Sequence, residues 1–485
     1  MKRLSLPALA GLPAGVARPG YDRSAVTPGI VHLGVGAFHR GHQAVFIDDC
    51  LNRGETGWGI VAASLRSPTT RDALAPQDNL YTYCERDGGT ESLRIVGSII
   101  ECLVAPEDPT RLIERLADPR VRIVTLTVTE KGYLADLSRG ALLAGHPDIR
   151  HDLENPESPR TIHGFLFAAS RRRRDEGSVP LTLVSCDNLP SNGRLLQALL
   201  GEFARLADPG HGPGIVEALS CPCVMVDRIV PATTEADREG IAARLGVEDA
   251  WPVVAEPYFR WVIEDRFPHG RPSLEKSGAE FVADVEPFEH MKLRMLNGAH
   301  TAIAAIGQIA GLETIADTYG REEVRRFIDA YWAEVTPTLA PEVDGETYMA
   351  GLRGRFANPA LKHRAAQIAT DASQKVPQRI LAPLGELLER DRTCDAVTTA
   401  LALWIRSCAQ LDEQGRPIAM NDPAFDGWTA PDQAKDDAET VVAGFLGFTR
   451  VFGPDWRERG DFVAALTRRY DTIRTRGVFG ALAQF

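Results

Sequence analysis

Residues 29–42 read GIVHLGVGAFHRGH, a short apolar run that passes directly into a glycine-rich turn. The run at residues 29–33 is a strand candidate, and Gly34 and Gly36 stand where that strand would lead into a helix. Glycines at such a turn let a pyrophosphate approach the backbone and sit at the start of the following helix. The full dinucleotide fingerprint has Gly or Ala where His39 stands, so the match is partial. A tight turn without a ligand explains the stretch equally well.

Three further strand candidates follow along the first half of the chain. They are Trp58–Ala63, Val121–Val128 and Leu181–Ser185, and each precedes turn residues and a longer, charge-bearing segment. Strands that alternate with helices predict a mostly parallel sheet with helices on its faces. Beyond about residue 285 strand runs become scarce, and 3.6-residue periods in Glu322–Leu339 and Asp395–Leu411 predict helices.

The predicted fold therefore has two parts. We expect an α/β N-terminal domain, a Rossmann-like dinucleotide-binding domain, over residues 1–280. A mainly α-helical C-terminal domain follows over residues 281–485.

Composition narrows the range of partners. The 485 residues include 54 basic and 66 acidic side chains, a net charge of −12, which argues against a nucleic acid as the main partner. No apolar run approaches the roughly 18 residues of a membrane span, and Pro7 and Pro13 interrupt the signal-like start. The eight cysteines include no CxxC pair. We therefore expect a cytoplasmic protein with reduced thiols and no membrane partner.

Two local patterns bear on whether the cofactor is NAD or NADP and on whether the chain binds a metal ion. The second strand runs into SLRSPTTR, residues 64–71, which holds Arg66 and Arg71 but no acid. An NAD-binding fold usually has Asp or Glu there for the ribose hydroxyls, whereas arginine accommodates a 2′-phosphate, so NADP is not excluded. His39 and His42 have the spacing of a metal pair, but no third ligand accompanies them, and we predict no metal site.

Residues 291–300, MKLRMLNGAH, carry three polar groups among leucines and methionines. On an α-helix Lys292 and Asn297 would lie about 140° apart, with His300 between them. The spacing alone favours an ordinary amphipathic helix with an exposed lysine and a core histidine.

Several collinear motifs resemble those of the polyol-specific long-chain dehydrogenase/reductase family, which contains mannitol 2-dehydrogenases and fructuronate reductases. The matching segments are GVGAFHRGHQ at 34–43, QDNLYT at 77–82, TVTEKGY at 127–133, HDLENP at 151–156, SCDN at 185–188, VMVDRIVP at 224–231, KLRMLNGAH at 292–300 and FANPALKHRAAQIATDASQKVPQR at 356–379. They span about three quarters of the chain. The resemblance implies a metal-independent, NAD-dependent secondary-alcohol dehydrogenase in which both domains contribute to the active site.

The resemblance also implies catalytic roles. Lys292 matches the family's general base, a role that requires a neutral amine, and burial lowers the pKa of a lysine. Asn188 and Asn297 would bind the reacting oxygen and stabilise the developing alkoxide. His300 would bind a neighbouring hydroxyl, while Asp227 and Glu289 would serve proton relay and site organisation. From the residues alone, Asp227 fits an ion pair with Arg228, and Asn188 fits a turn.

Cofactor contacts are assigned to the turn and to the loops that follow the strands, namely Gly34, Gly36, Phe38, Arg40, Arg66 and Thr129. Lys375 matches another basic site position of the family, although a solvated lysine explains it as well.

The choice of substrate depends on departures from the mannitol-dehydrogenase pattern. Lys131-Gly132 replaces a glycine pair, and Gln367 replaces an arginine eight positions before Lys375. Both changes resemble the fructuronate reductases of the family. A cation such as Lys131 suits the carboxylate of a uronate substrate. The favoured reaction is D-mannonate plus NAD giving D-fructuronate plus NADH. Mannitol–fructose interconversion, oxidation of arabinitol and a non-catalytic sensor are the alternatives, and we expect a monomer or weak oligomer.

Overall fold

The computed structural model describes residues 1–137, 139–361, 363–409, 411–418 and 422–485. Contacts divide the chain into two compact units, Met1–Glu286 and Pro287–Phe485. The helices among the described residues include none that is long and apolar enough to cross a membrane.

The first unit is built on a parallel sheet. Its strands are β1 Pro28–Leu33, β2 Gly59–Ser64, β3 Tyr81–Asp87, β4 Thr90–Val96, β5 Ile99–Val104, β6 Ile123–Leu126, β7 Ala135–Asp136, β8 Ala141–Leu142, β9 Thr182–Ser185, β10 Val224–Asp227, β11 Val253–Ala255, β12 Arg260–Glu264 and β13 Glu280–Val282. In the described residues, five of them form one sheet in the order β5-β2-β1-β6-β9, with every neighbouring pair parallel. The chain order reverses between β1 and β6, where open α/β sheets bind ligands.

Alternate side chains of these strands enter two different cores. On β1, Val31 and Leu33 face one core and Ile30 faces the other. On β2, Val61 faces the same core as Val31, and Ile60 faces the same core as Ile30. Both faces are thus buried, as parallel sheets require. Two smaller three-stranded sheets, β10-β12-β13 and β11-β3-β4, and the β7-β8 pair complete the strands of the described residues.

Helices cover the sheet of the first unit. They are α1 Ala37–Gly41, α2 Gln43–Asn52, α3 Thr69–Leu74, α4 Pro109–Ala117, α5 Pro147–Glu154, α6 Ile162–Asp175, α7 Asn192–Ala207, α8 Gly212–Glu217 and α9 Glu235–Leu245. Apolar residues of α4, α6 and α7 fill one core, and those of α2 fill the other.

The second unit is helical in its described residues. Its α-helices are α10 Glu286–Met291, which starts at the boundary, α11 Gly298–Ala310, α12 Ile315–Tyr319, α13 Glu322–Val335, α14 Gly345–Ala357, α15 Ala365–Ala369, α16 Ala372–Val376, α17 Ala382–Glu389, α18 Asp395–Ser407, α19 Ala438–Leu446 and α20 Gly460–Leu482. Two π-helical segments, Lys292–Asn297 and Pro377–Leu381, interrupt this pattern.

The predicted fold class is confirmed, with shifts at the ends of elements. Trp58 closes a 3₁₀ turn, so β2 starts at Gly59. The helix predicted over Glu322–Leu339 ends at Val335, because Pro337 has no N–H to continue it. The helix predicted over Asp395–Leu411 ends at Ser407.

Candidate active site

The glycine-rich turn after β1 opens onto a groove at the carboxyl edge of the parallel sheet. Gly34 has φ +96°, and a Cβ there would lie 2.2 Å from the carbonyl oxygen of Thr127, so only glycine fits. At Gly36 an added Cβ would meet nothing among the described residues nearer than the Gly34 carbonyl oxygen, at 3.9 Å. The backbone at Gly36 is therefore open to a phosphate group, as the dinucleotide fingerprint requires.

The groove has a volume of about 350 Å³ and is lined by the loops that follow three neighbouring strands. Gly34 and Gly36 come from the β1 loop, Arg66 from the β2 loop, and Thr127–Thr129 from the β6 loop. Four of the predicted cofactor contacts, Gly34, Gly36, Arg66 and Thr129, thus line one cavity at the switch point of the sheet.

Asp187, at the end of β9, holds the β6 loop in place. Its carboxylate accepts hydrogen bonds from the N–H groups of Val128 and Thr129, at 3.0 and 2.8 Å, and from the Tyr133 hydroxyl at 2.8 Å. Thr129 has φ +64°, a strained conformation for a β-branched residue. The buried carboxylate therefore fixes the threonine beside the groove in a conformation it would otherwise avoid.

Phe38 and Arg40, also predicted as cofactor contacts, are not among the residues that line this groove. Arg40 is 5% exposed, and its guanidinium donates to the Trp251 carbonyl oxygen inside the unit. The Phe38 ring stacks on His42, with 5.1 Å between the ring centroids. Both side chains belong to the packing beneath the turn.

The histidines of the turn also belong to the core. His39 stacks on His32 with 3.3 Å between the ring centroids, and burial, reinforced by the charge of His32, holds its pKa well below the ordinary value. His32 bonds Thr125 Oγ1 at 2.7 Å. Within the described residues no group of three His, Cys, Asp or Glu side chains is arranged to hold a metal ion.

The two arginines at the end of β2 have different environments. Arg71 pairs with Asp72 and Glu107, whereas Arg66 is exposed and lines the groove. Lys131, predicted to bind a substrate carboxylate, is exposed and lies with Arg66 along a second cavity of the first unit.

Lys292 begins a π-helical segment in the second unit, and Asn297 ends it. The Gly298 N–H donates to the Leu293 carbonyl oxygen, the five-residue spacing of a π-helix. Residues five apart are then about one turn apart, so Lys292 and Asn297 share a face of the helix. The sequence-based separation of about 140° is wrong here, because it assumed α-helical geometry.

Side chains from α13 stabilise this segment. The Tyr331 hydroxyl donates to the Arg294 carbonyl oxygen at 3.0 Å, and Trp332 Nε1 donates to the Met295 carbonyl oxygen at 3.0 Å. These bonds satisfy backbone carbonyls that the wider helical turn presents to its neighbours. The irregular segment is therefore supported by tertiary contacts.

Two buried polar atoms of residues 292–300 have no hydrogen-bond partner in the described part of the chain. They are Asn297 Nδ2 and His300 Nε2, and their residues are 8% and 6% exposed. The His300 ring lies 4.7 Å from Phe356 and 5.2 Å from His363, measured between centroids. Burial, and then the charges of His363, Arg355 and Arg379, hold the pKa of His300 well below its usual value.

The other predicted site residues are distributed over both units. Asn188 is exposed after β9, and Asp227 is buried at the end of β10, opposite Arg260 in the sheet register. Glu289 is buried on α10. Lys375, on α16, donates to the Ile368 and Thr370 carbonyl oxygens.

The alternative ion pair between Asp227 and Arg228 is wrong, because the Arg228 guanidinium pairs with Glu85 and bonds the Glu256 carbonyl oxygen.

Residues 28–276 match the mannitol dehydrogenase Rossmann domain, and residues 284–474 match the mannitol dehydrogenase C-terminal domain. The chain belongs to the mannitol dehydrogenase family. It is therefore an oxidoreductase, as the family resemblance implies.

Relatives within the mannitol dehydrogenase family carry two different names. D-mannonate oxidoreductase of Escherichia coli strain K12 is 41% identical over 469 residues, 95% of this chain and 96% of that protein. Mannitol 2-dehydrogenase of Aspergillus terreus is 38% identical over 479 residues, 96% of this chain and 95% of that protein. The Pseudomonas fluorescens mannitol 2-dehydrogenase, solved as a ternary complex with NAD and D-mannitol, has a TM-score of 0.87 at 37% identity and covers 99% of both chains.

Three residues that contact or neighbour predicted site residues are absent from the sequence-based assignment. Asp187 lies inside the SCDN motif, where its position before Asn188 was the available signal. Arg355 and His363 lie in or beside the FANPALKHR segment, but their position next to His300 is a tertiary property. No local sequence pattern predicts this position.

Proposed function

We propose that this chain interconverts D-mannonate and D-fructuronate with NAD and NADH, using Lys292 as the general acid and base. NAD, when bound, accepts hydride from the alcohol carbon. The groove with Gly34, Gly36, Arg66 and Thr129 fits a dinucleotide, because the backbone at Gly36 is open and a side chain at Gly34 would block the turn.

The observation that carries the proposal is the pair of buried, unpartnered polar atoms at Asn297 and His300. A buried donor or acceptor without a partner costs about 1–3 kcal/mol, and a substrate hydroxyl that paired with these atoms would recover this cost. Both lie within eight residues of Lys292 along the chain, and Asn297 shares its helix face. A polyol supplies the neighbouring hydroxyls that this arrangement would bind.

Each residue then has a chemical role. Lys292 Nζ takes the hydroxyl proton during oxidation and returns it during reduction. The Asn297 amide donates to the oxygen where negative charge develops, and the family resemblance assigns the same role to Asn188. Neutral His300 binds an adjacent hydroxyl. The family resemblance assigns proton relay and site organisation to Asp227 and Glu289.

Arginines near His300 favour a sugar acid over a neutral polyol. Arg355 is 7% exposed, and Arg379 donates to Thr301 Oγ1 at 3.2 Å, one residue beyond His300. The charges of both arginines lower the pKa of His300. Guanidinium groups bind carboxylates through paired hydrogen bonds. We assign the carboxylate to this region, together with Lys375, and no longer to Lys131, which lies with Arg66 along the cavity of the first unit.

The direct test is the initial rate of NADH oxidation with D-fructuronate, set against D-fructose at the same concentration. We expect a strong preference for D-fructuronate. A preference for D-fructose would contradict the sugar-acid assignment and favour mannitol–fructose interconversion.

Variants of Arg355 locate the carboxylate. Arg355→Leu should lower the preference for D-fructuronate over D-fructose by about tenfold or more, and Arg355→Lys should retain part of it. Arg353→Leu is the matched control, because Arg353 is exposed on the same helix and pairs with Asp329. An unchanged substrate preference in Arg355→Leu and in Arg379→Leu would contradict this placement.

A further inference from the structure

A second cavity adjoins the dinucleotide groove of the first unit. It has a volume of about 490 Å³ and shares Leu65, Arg66 and Gly132 with the groove. From there it extends past Pro106 to the segment that follows α5, at Arg160. The two cavities therefore border one another at the end of β2.

The position of this cavity identifies the part of the dinucleotide that it would meet. In Rossmann folds the end of the second strand holds the adenosine ribose, usually through an Asp or Glu that bonds the ribose hydroxyls. Here that segment is SLRSPTTR, residues 64–71, and it contains no acid. Arg66 stands in this segment and lines both cavities.

The charges along the second cavity are mainly positive. Arg66, Lys131 and Arg160 line it, and Asp148 is the carboxylate among its lining residues. The Arg160–Asp148 pair is loose, at 3.7 Å, and both side chains are solvent-exposed, so it is only a weak pair. Arg66 and Lys131 make no hydrogen bond or ion pair with another side chain in the described ranges. Among the described residues, neither of these two cations therefore has a counter-ion.

We propose that this cavity accepts the 2′-phosphate of NADP, so that the chain binds NADPH as well as NADH, with Arg66 and Lys131 as the phosphate contacts. A phosphate monoester carries a charge of about −1.5 to −2 at neutral pH, which two cations balance. The inference depends on one part of the proposed function, namely that a dinucleotide binds in the groove.

The test is direct binding, followed by the fluorescence of the reduced cofactor on titration with the full-length protein. NADPH should bind within about tenfold of NADH, since an arginine stands where an acid would repel the 2′-phosphate. Arg66→Ala and Lys131→Ala should each lower the ratio of NADPH to NADH affinity by about tenfold. The fragment 2′,5′-ADP should likewise compete better than 5′-AMP. Arg120→Ala, an exposed arginine paired with Asp118, is the control and should leave the ratio unchanged.

Two results would contradict the binding of NADPH. Wild-type affinity for NADPH more than about 100-fold below that for NADH would overturn the inference, as would an unchanged ratio in both variants. Binding is measured without a sugar, so the two proposals fail separately. NADH-dependent reduction without NADPH binding overturns this inference alone, whereas NADPH binding without sugar turnover overturns the proposed function alone.

Discussion

Lys292 and Asn297 begin and end a single π-helical segment, so the amine and the amide share one helix face about a turn apart. π-Helical segments are costly and occur often at functional sites. In this chain the segment is supported by the Tyr331 hydroxyl and by the Trp332 indole N–H. The proposed base and the proposed alkoxide ligand are therefore positioned by the same local irregularity.

The Asn297 amide should matter for chemistry more than for stability. Asn297→Asp keeps the size of the side chain but replaces the Nδ2 donor with a carboxylate oxygen, which repels a developing alkoxide. We expect turnover to fall by about 10²-fold or more, measured as kcat for D-fructuronate reduction. Asn155→Asp, at an exposed site, is the control and should keep normal turnover. Normal turnover in Asn297→Asp would remove Asn297 from the mechanism.

Gly298 tests the support of the π-helical segment. A Cβ on Gly298 would lie 2.0 Å from the Tyr331 hydroxyl oxygen and 3.0 Å from the Arg379 carbonyl oxygen. Gly298→Ala should therefore lower the free energy of unfolding by about 1–3 kcal/mol and reduce turnover. Because the closest contact is the hydroxyl, the cost should be smaller in a Tyr331→Phe background, as a double-mutant cycle would show.

Gly351 provides the matched control for that cycle. It lies on α14 with nothing within 4 Å of an added Cβ. Gly351→Ala should stabilise the protein by about 0.5–1 kcal/mol, because alanine favours a helix over glycine. Equal costs of Gly298→Ala with Tyr331 and with Phe at that position would show that the hydroxyl contact does not support the segment.

The sheet and the glycine turn were predictable because they depend on local chemistry. Apolar runs followed by turn residues gave four strands of the parallel sheet, and Gly34 is required by a close approach to Thr127. The π-helical geometry was not predictable, since it depends on Tyr331 and Trp332, more than thirty residues away in the chain. The Arg40 side chain points inward because its guanidinium donates to the Trp251 carbonyl oxygen. This contact joins residues far apart in the chain, so it was not predictable either.

Buried histidines predict that stability falls in mild acid. His163 is buried with Nε2 2.8 Å from the Tyr133 carbonyl oxygen, and burial lowers its pKa to about 4. Between its unfolded pKa of about 6.5 and this value, the unfolded state binds more protons, so stability decreases as the pH falls. One such histidine contributes a loss of up to about 1.4 kcal/mol per pH unit.

Thermal denaturation at pH 7 and pH 5 measures this effect. Tm should fall on acidification, and the fall should be smaller in His163→Gln. A Tm that does not change between pH 7 and pH 5 would contradict the prediction.

Removal of metal ions should leave turnover unchanged, because the proposed mechanism assigns the proton to Lys292 and the alkoxide to amide donors. The measurement is NADH oxidation before and after dialysis against EDTA, with the metal content determined in parallel. Loss of turnover that zinc restores would show that the proposed roles of Lys292 and Asn297 are incomplete.

The central claim is that Lys292 transfers the proton. The most direct measurement is the single-turnover rate of NADH oxidation with D-fructuronate in Lys292→Ala, together with the Kd for NADH and with Lys435→Ala, an exposed lysine paired with Asp432, as the control. We expect the rate to fall by about 10²–10⁴-fold while NADH binding stays close to wild type and the control reacts normally. A near-normal single-turnover rate in Lys292→Ala would contradict the assignment of this lysine as the acid and base.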